Sequence, residues 1–374
     1  MKRTLIALLA VAACGDNLKG TGTGPGEQPD AGLSGVATAV VVAGDFNVTG
    51  ILTTVRVPSG TITPNAIAGV AGGDPFIRRY GDEIFVINRA SGDNITVLAR
   101  GSLALVGQFG TGAGMNPQDV APVGDTLYVA ALAASGILVI DRNDPKAEPK
   151  TIDLSSLDVD GHPDCVSVIA AGDKLFAVCG TLDDHFAPRG NAKVAVIDPA
   201  QLKMTSSFEL PSANPVGYLL QVPGLDGDLV MALAPDFQDF STGCLARIKT
   251  TGTPAANGCA VTNAAIGGIA NHFELAPDGK SLWIDSTAYD ASFNLSGKVV
   301  ALDLASLQLW PQAMTPPTMV ATDLAACPNG YAVVVDSTFG KAGVRIFDAL
   351  GHETTAGAED IGRAPGFGNN VVCY

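Results

Sequence analysis

Apolar residues in this chain come in short unbroken runs: IFVI (84–87), LYVA (127–130), LFAV (175–178), LVMA (229–232), LWI (282–284) and AVVV (332–335). A run this short with no polar alternation predicts a strand buried on both faces rather than one half exposed to water. Each run follows a turn signal, namely Gly81-Asp82, Gly124-Asp125, Gly172-Asp173, Gly227-Asp228, Pro277-Asp278-Gly279 and Pro328-Asn329-Gly330. Two turn residues between apolar runs, one of them Gly, are the signature of a β-hairpin. Several copies then close on an aspartate: Ile140-Asp141, Ile197-Asp198, Leu302-Asp303 and Phe347-Asp348. The stretch 116–141, NPQDVAPVGDTLYVAALAASGILVID, carries all three signals and predicts a three-strand meander. No long segment has a 3.6-residue period, so helices are minor.

The copies recur at a measurable spacing. Counting from the proline that opens each, with His272 in its place once, gives Pro75, Pro117, Pro163, Pro215, His272, Pro317 and Pro365, at intervals of 42, 46, 52, 57, 45 and 48 residues. Repeats of about 40 to 50 residues with several short strands each indicate propeller blades, not solenoid turns. The final segment, 363–374, supplies an opening strand and stops, whereas Val36–Val42 begins at a second strand. The expected fold is therefore all-β: a seven-bladed β-propeller with six continuous blades and one split (velcro) blade formed by the N- and C-terminal strands. Such pairing removes the open sheet edges that invite aggregation.

Ahead of the repeats, residues 1–13 combine Lys2 and Arg3 with a short apolar stretch and small residues, which describes a secretory signal and is too short to span a membrane. Residues 14–35 are Gly, Pro and polar throughout, a flexible tether leading to a propeller domain over 36–374. Within the tether, GTGTGPG has neither the preceding strand nor the following helix that a phosphate loop requires. The formal net charge is −15. A surface this acidic disfavours nucleic acid as a partner.

Beyond Cys14 the chain holds six cysteines. An even number on an exported chain suggests disulfides. Cys165 and Cys179 lie equidistant from the Gly172 turn and should face each other across a hairpin; Cys244 and Cys259 flank the outer hairpin of the next blade. Cys327 and Cys373 end the opening strands of the last complete blade and of the split blade, so their pairing would lock the ring. Free thiols or metal binding are the alternatives, although no C-x-x-C or Cys/His spacing supports zinc.

The runs LYVA and FVIN (85–88), the VAVID at 194–198 and the APDG at 276–279 resemble the YVTN-type propellers of bacterial surface and periplasmic proteins, and GQFGTGAGMNP (107–117) is similar to the entry of an NHL repeat. That resemblance covers the body of the chain as a pattern and implies fold more than activity. No copy reads YVTN literally, and the fifth blade is degenerate. The Val11-Ala12-Ala13-Cys14 ending resembles a bacterial lipobox, which implies a lipid on Cys14, with Gly15 pointing to the outer membrane.

In a propeller, the loops that enter the inner strands and the loops joining second to third strands share one rim. The first set offers Asp74, Asn116, Asp119, His162, Asp164, Asn214, Asn271, His272 and Glu274. The second set lengthens in three consecutive blades, DDHFAPRG (183–190), PDFQDFSTG (235–243) and STAYDASFNLSG (286–297), bringing Asp183, Asp184, His185, Phe186, Asp236, Phe237, Asp239, Tyr289 and Asp290. Carboxylates beside aromatic rings suit a glycan, a cationic ligand, a Ca²⁺ ion or an envelope protein. Equally, such loops can be tolerated surface variation with their rings folded down. No G-x-S-x-G, H-E-x-x-H or other catalytic signature occurs. The favoured expectation is a lipid-anchored envelope protein that binds a partner without catalysis; the second is a lactonase-like, metal-dependent hydrolase at the channel mouth.

Overall fold

A computed structural model describes residues 35–90, 92–290, 292–366 and 368–374. Residues 1–34, with the signal segment, Cys14 and nearly all of the tether, lie outside them.

Seven small antiparallel sheets form seven blades. Blade 1 is the split blade, with strands from inside to outside at Val371–Cys373, Ala37–Gly44, Gly50–Val57 and Ile62–Thr63. Blade 2 has Pro75–Tyr80, Glu83–Asn88, Asn94–Ala99 and Leu105–Gly110; blade 3 has Pro117–Val123, Thr126–Ala131, Gly136–Asp141 and Lys150–Asp153. Blade 4 has Cys165–Ala171, Lys174–Cys179, Lys193–Asp198 and Lys203–Glu209; blade 5 has Pro215–Gln221, Leu229–Leu233, Cys244–Lys249 and Ala255–Thr262. Blade 6 has Ile269–Leu275, Ser281–Tyr289, Leu295–Asp303 and Gln308–Leu309. Blade 7 has Ala321–Ala326, Ala332–Asp336 and Gly343–Phe347; its fourth edge is reduced to two bridges, Val344 with Glu359 and Phe347 with Glu353.

The unbroken apolar runs have a direct explanation in this packing. Each second strand sends alternate side chains to opposite neighbours: Ile84 and Val86 pack toward blade 1, Phe85 and Ile87 toward blade 3. Likewise Leu282 and Ile284 face blade 5 while Trp283 faces blade 7. The hydrophobic core is accordingly seven separate clusters, one at every blade-to-blade junction. The outer strands reach water and turn polar, as in KMTSSFE of blade 4. The turn glycines between inner and second strands, from Gly81 to Gly330, all take the left-handed conformation that makes a tight hairpin cheap for Gly.

Closure follows the expected scheme. Ala39, Val40 and Val41 pair with Cys373, Val372 and Val371, and Thr38 and Tyr374 exchange backbone hydrogen bonds. All three expected disulfides form: Cys165–Cys179, Cys244–Cys259 and Cys327–Cys373.

Two expectations need correction. The opening proline is not a fixed register: Pro75, Pro117 and Pro215 begin inner strands, but Pro163, Pro317 and Pro365 precede theirs by two, four and six residues, and His272 sits inside its strand. Proline lacks an amide donor and can precede a strand at any of these distances, so the spacing counts blades without fixing alignment. Residues 286–297 are also not a loop but a long hairpin, with Thr287, Ala288 and Tyr289 paired to Gly297, Ser296 and Leu295. Gly297 permits the extension, since a Cβ there would collide with the Ala321 carbonyl of blade 7.

Candidate functional site

The inner-strand entries are largely occupied by structure. Asn116, Asp164 and Asn214 occupy one equivalent position, each left-handed (φ 52°, 54° and 52°) immediately before its inner strand. Asn and Asp tolerate this conformation better than other non-Gly residues. Their carbonyls accept the amides of Leu132, Gly180 and Ala234, and two side chains bond locally: Asp164 Oδ2 accepts from Leu182 N (2.7 Å) and Asn214 Nδ2 donates to Ala234 O (2.7 Å). Burial lifts the Asp164 carboxyl to about 6, with Asp160 and Asp158 adding to the rise. Asp74 is held by Arg89 at 2.6 Å, and His162 is exposed with its backbone amide on Asp160.

Asp119 and His272 lie in the channel wall instead of on the rim. Both stand just past a β-bulge near the start of the inner strand, a position that Ser167 and Asp323 share in blades 4 and 7. Asp119 is fully buried; it accepts from Ser167 Oγ and from Val168 N of the next blade, and lies 3.4 Å from Arg78. Burial pushes its carboxyl up, opposed by the Arg78 guanidinium. That guanidinium also donates to Tyr80 Oη (2.7 Å) and lies 4.0 Å from the centre of the Tyr218 ring.

His272 Nδ1 is 2.9 Å from Asn369 Oδ1 and 3.7 Å from Asp323, and Nε2 is 3.4 Å from Glu274. Burial works against the imidazolium, but Asp323 and Glu274 outweigh it and raise the group to about 9. Asp285, behind Asn271, is completely buried with one oxygen unpaired; burial, then repulsion from Asp323, drives its carboxyl well above the usual range. Asn271 itself donates to Thr287 Oγ1 at 2.7 Å.

Among the described residues, no three His, Cys, Asp or Glu side chains come together as a metal cluster. No chemical step is routed through a metal here.

The long second-to-third-strand loops present a different picture. In blade 4, Asp183 N donates to Ala187 O, Phe186 N donates to Asp183 O, and Asp183 Oδ1 accepts from His185 N and Ala187 N. In blade 6 the same four bonds recur around Asp290, involving Ser292, Phe293 and Asn294. In blade 5, Asp236 Oδ1 caps Gln238 N and Asp239 Oδ1 caps Ser241 N. These hydrogen bonds hold the carboxyls of Asp183, Asp239 and Asp290 below the ordinary range, which keeps them ionised. Asp184 and His185 are exposed beside them.

Blades 1 and 7 add members that the sequence reading missed. The corresponding loop of blade 1 is Asp45–Thr49, with Asp45 Oδ1 accepting three amides. In blade 7, Asp336 Oδ1 accepts Thr338 N ahead of Phe339. The available signal was the repeated D-x-x-F in DDHF (183–186), DASF (290–293) and DSTF (336–339). Next to Phe339, a groove of about 730 Å³ is lined by Lys341, Arg345, Thr318 and Asp360.

No family model matches this chain, and no curated protein sequence does either. Solved structures match at low identity. Apo AztD from Citrobacter koseri is 12% identical over 91% of this chain and 98% of its own, with a TM-score of 0.56. A candidate 6-phosphogluconolactonase from Bacteroides uniformis is 15% identical over 91% and 100% (TM-score 0.57), and a Lactobacillus plantarum protein is 13% identical over 90% and 98% (TM-score 0.58). These likenesses establish the propeller fold and nothing finer.

Proposed function

We propose that this is an exported, YVTN/NHL-like lipoprotein, anchored through Cys14 to the outer membrane, whose propeller binds a partner, a glycan or an envelope protein, through the rim loops of blades 4 to 6. One observation carries the reading. Three neighbouring loops use their aspartates to build rigid turns that hold Phe186, Phe237 and Phe293 out in water, while Asp119, His272 and Asp164 are engaged within the protein. Three disulfides suit an oxidising, extracytoplasmic compartment. Gly35 enters blade 1 at the rim opposite these loops.

Isothermal calorimetry of the mature protein against defined envelope glycans and purified envelope proteins tests the reading. Binding should weaken at least tenfold in a Phe186→Ser, Phe237→Ser, Phe293→Ser variant. Unchanged affinity in that variant removes the loops from the function. Among the neighbours in fold, the candidate 6-phosphogluconolactonase keeps a hydrolase as the second reading, with the His272–Glu274 pair as its channel group. Measurable lactone hydrolysis, lost in His272→Gln, would favour it over the binder.

A further inference from the structure

Among the described residues, exposed phenylalanines are concentrated on one rim and in one class of loop. Phe46, Phe186, Phe237, Phe293 and Phe339 occupy the second-to-third-strand loops of blades 1, 4, 5, 6 and 7, and their exposures run from 48% to 102%. Those five blades are consecutive around the ring, because blade 7 adjoins blade 1 through the split-blade closure. The rings form a horseshoe interrupted only at blades 2 and 3. A scattered exposed apolar side chain needs no explanation, but a set confined to one edge does.

Three of the five, Phe46, Phe186 and Phe293, are left-handed, with φ of 56°, 61° and 60°. The same turn occurs once more with glycine at its left-handed position. Asp348–His352, at the opposite rim, makes the same four hydrogen bonds as the Asp183 and Asp290 turns, and there the left-handed position is Gly351. Bulky left-handed residues also occur at that rim: Leu103 is buried, Leu307 packs into a core cluster, and Leu202 is 38% exposed, against 66% to 71% for the three phenylalanines. The rim phenylalanines accept the same backbone cost and remain in water.

What covers them is decided by charge. Beside the rings stand Asp45, Asp184, Asp236, Asp239 and Asp290, all exposed; the cations at these loops are Lys341, Arg363, which pairs with Asp45, and Arg189, already paired with Asp158 and Asp160. A lipid headgroup region would have to receive these carboxylates along with the rings, and an anionic leaflet would repel them. A second copy of a chain of net charge −15 would be repelled as well. A lysine- and arginine-bearing surface satisfies both components, through ion pairs to the aspartates and cation–π contacts to the rings.

We infer that the five-blade horseshoe of Phe46, Phe186, Phe237, Phe293 and Phe339 is the docking surface for a basic protein partner. This rests on the rim-binding reading above and extends it to blades 7 and 1, committing it to a protein of positive contact charge.

The test uses the mature protein, a panel of 12-residue synthetic peptides of net charge +5, 0 and −5 with matched aromatic content, and vesicles of phosphatidylethanolamine and phosphatidylglycerol. The probe variant is Phe46→Gly, Phe186→Gly, Phe293→Gly, which places Gly where the backbone is left-handed and so leaves thermal stability unchanged or higher. Expected are binding of the +5 peptides by calorimetry, at least a tenfold loss in the variant, and a comparable loss between 50 and 300 mM salt. A merely structural role for the rings would instead lower thermal stability in the variant. Equal binding of the −5 or neutral peptides, lost in the variant, overturns the basic partner but spares the rim. Binding of +5 peptides that the variant retains overturns both readings. Absence of peptide binding, or ring-dependent vesicle sedimentation or dimerisation, overturns the basic-partner assignment.

Discussion

Replacing Cys327 and Cys373 by alanine removes the bond that ties blade 7 to the inner strand of blade 1, and its effect can be sized. The two cysteines are separated by 46 residues. Constraining a loop of that size in the unfolded chain stabilises the fold by about 4 kcal/mol at 25 °C on the chain-entropy account. The inner strand it secures, Val371–Cys373, is only three residues long. Its other ties are the pairing with Ala39–Val41 and the amides of Asn370 and Val371 on the buried Asp323 carboxylate. At a net value of about 1 kcal/mol per hydrogen bond, these are together comparable with the disulfide. Urea unfolding of the variant should lose about 4 kcal/mol. Native-state hydrogen exchange should show the first lost protection on Val371–Cys373 and Ala37–Gly44. As an internal control, Cys165→Ala with Cys179→Ala opens a 14-residue separation worth about 3 kcal/mol and should leave the closure protected. A change below about 0.5 kcal/mol, well under the loop-entropy figure, or exchange that begins in blade 4 or 5, would refute the view that the ring is locked at this seam.

Other outcomes follow from the channel wall and the rim. Arg78→Met leaves Asp119 buried without its cation and should cost about 3–5 kcal/mol, whereas Arg78→Met combined with Asp119→Leu should recover part of that loss, read by urea midpoints. His272 has a folded value of about 9 against about 6.5 unfolded. Its contribution is thus complete below pH 6.5 and is lost as pH rises through 9, at most about 3 kcal/mol, and His272→Gln should flatten that part of the stability profile. Single Phe186→Gly and Phe293→Gly changes relieve a left-handed cost of about 1–2 kcal/mol and add about 0.5–1 kcal/mol of unfolded-chain entropy, so thermal melting should show them neutral or slightly stabilised.

Legibility in the sequence tracked how local each cause was. Turn glycines, doubly buried runs and the cysteine positions each depend on a repeat's own hairpins, and they led directly to the seven blades, the split closure and the three disulfides. The candidate site was less legible because its residues answer to neighbouring blades. Asp119 reads as a polar loop-entry residue until Arg78 and Val168 of the flanking blades are placed beside it. His272 reads in the sequence as a stand-in for proline because the bulge that positions it leaves no trace in composition. Phe46 is not legible as a rim residue because its loop belongs to the split blade, whose copy begins midway through the repeat.

The bulges also bear on where function can reside. Five inner strands, those of blades 3 to 7, break register near their first residues. In three of them the residue just beyond sends its side chain to the next blade's backbone: Asp119 to Val168 N, Ser167 Oγ to Leu219 N, and Asp323 to Asn370 and Val371 N. At that position blade 5 has Gly217, where a Cβ would strike the Asn271 carbonyl of blade 6, so contact between inner strands replaces the side-chain bridge. Carboxylate, hydroxyl and glycine at one register, all serving the junction between blades, make this a stitch that closes the channel wall. The side chains at this register serve blade junctions, while Asp285, behind Asn271, keeps one oxygen without a hydrogen-bond partner. On the proposed reading, the phenylalanines held out in water by the loops above this wall make the rim the place where a partner should be sought.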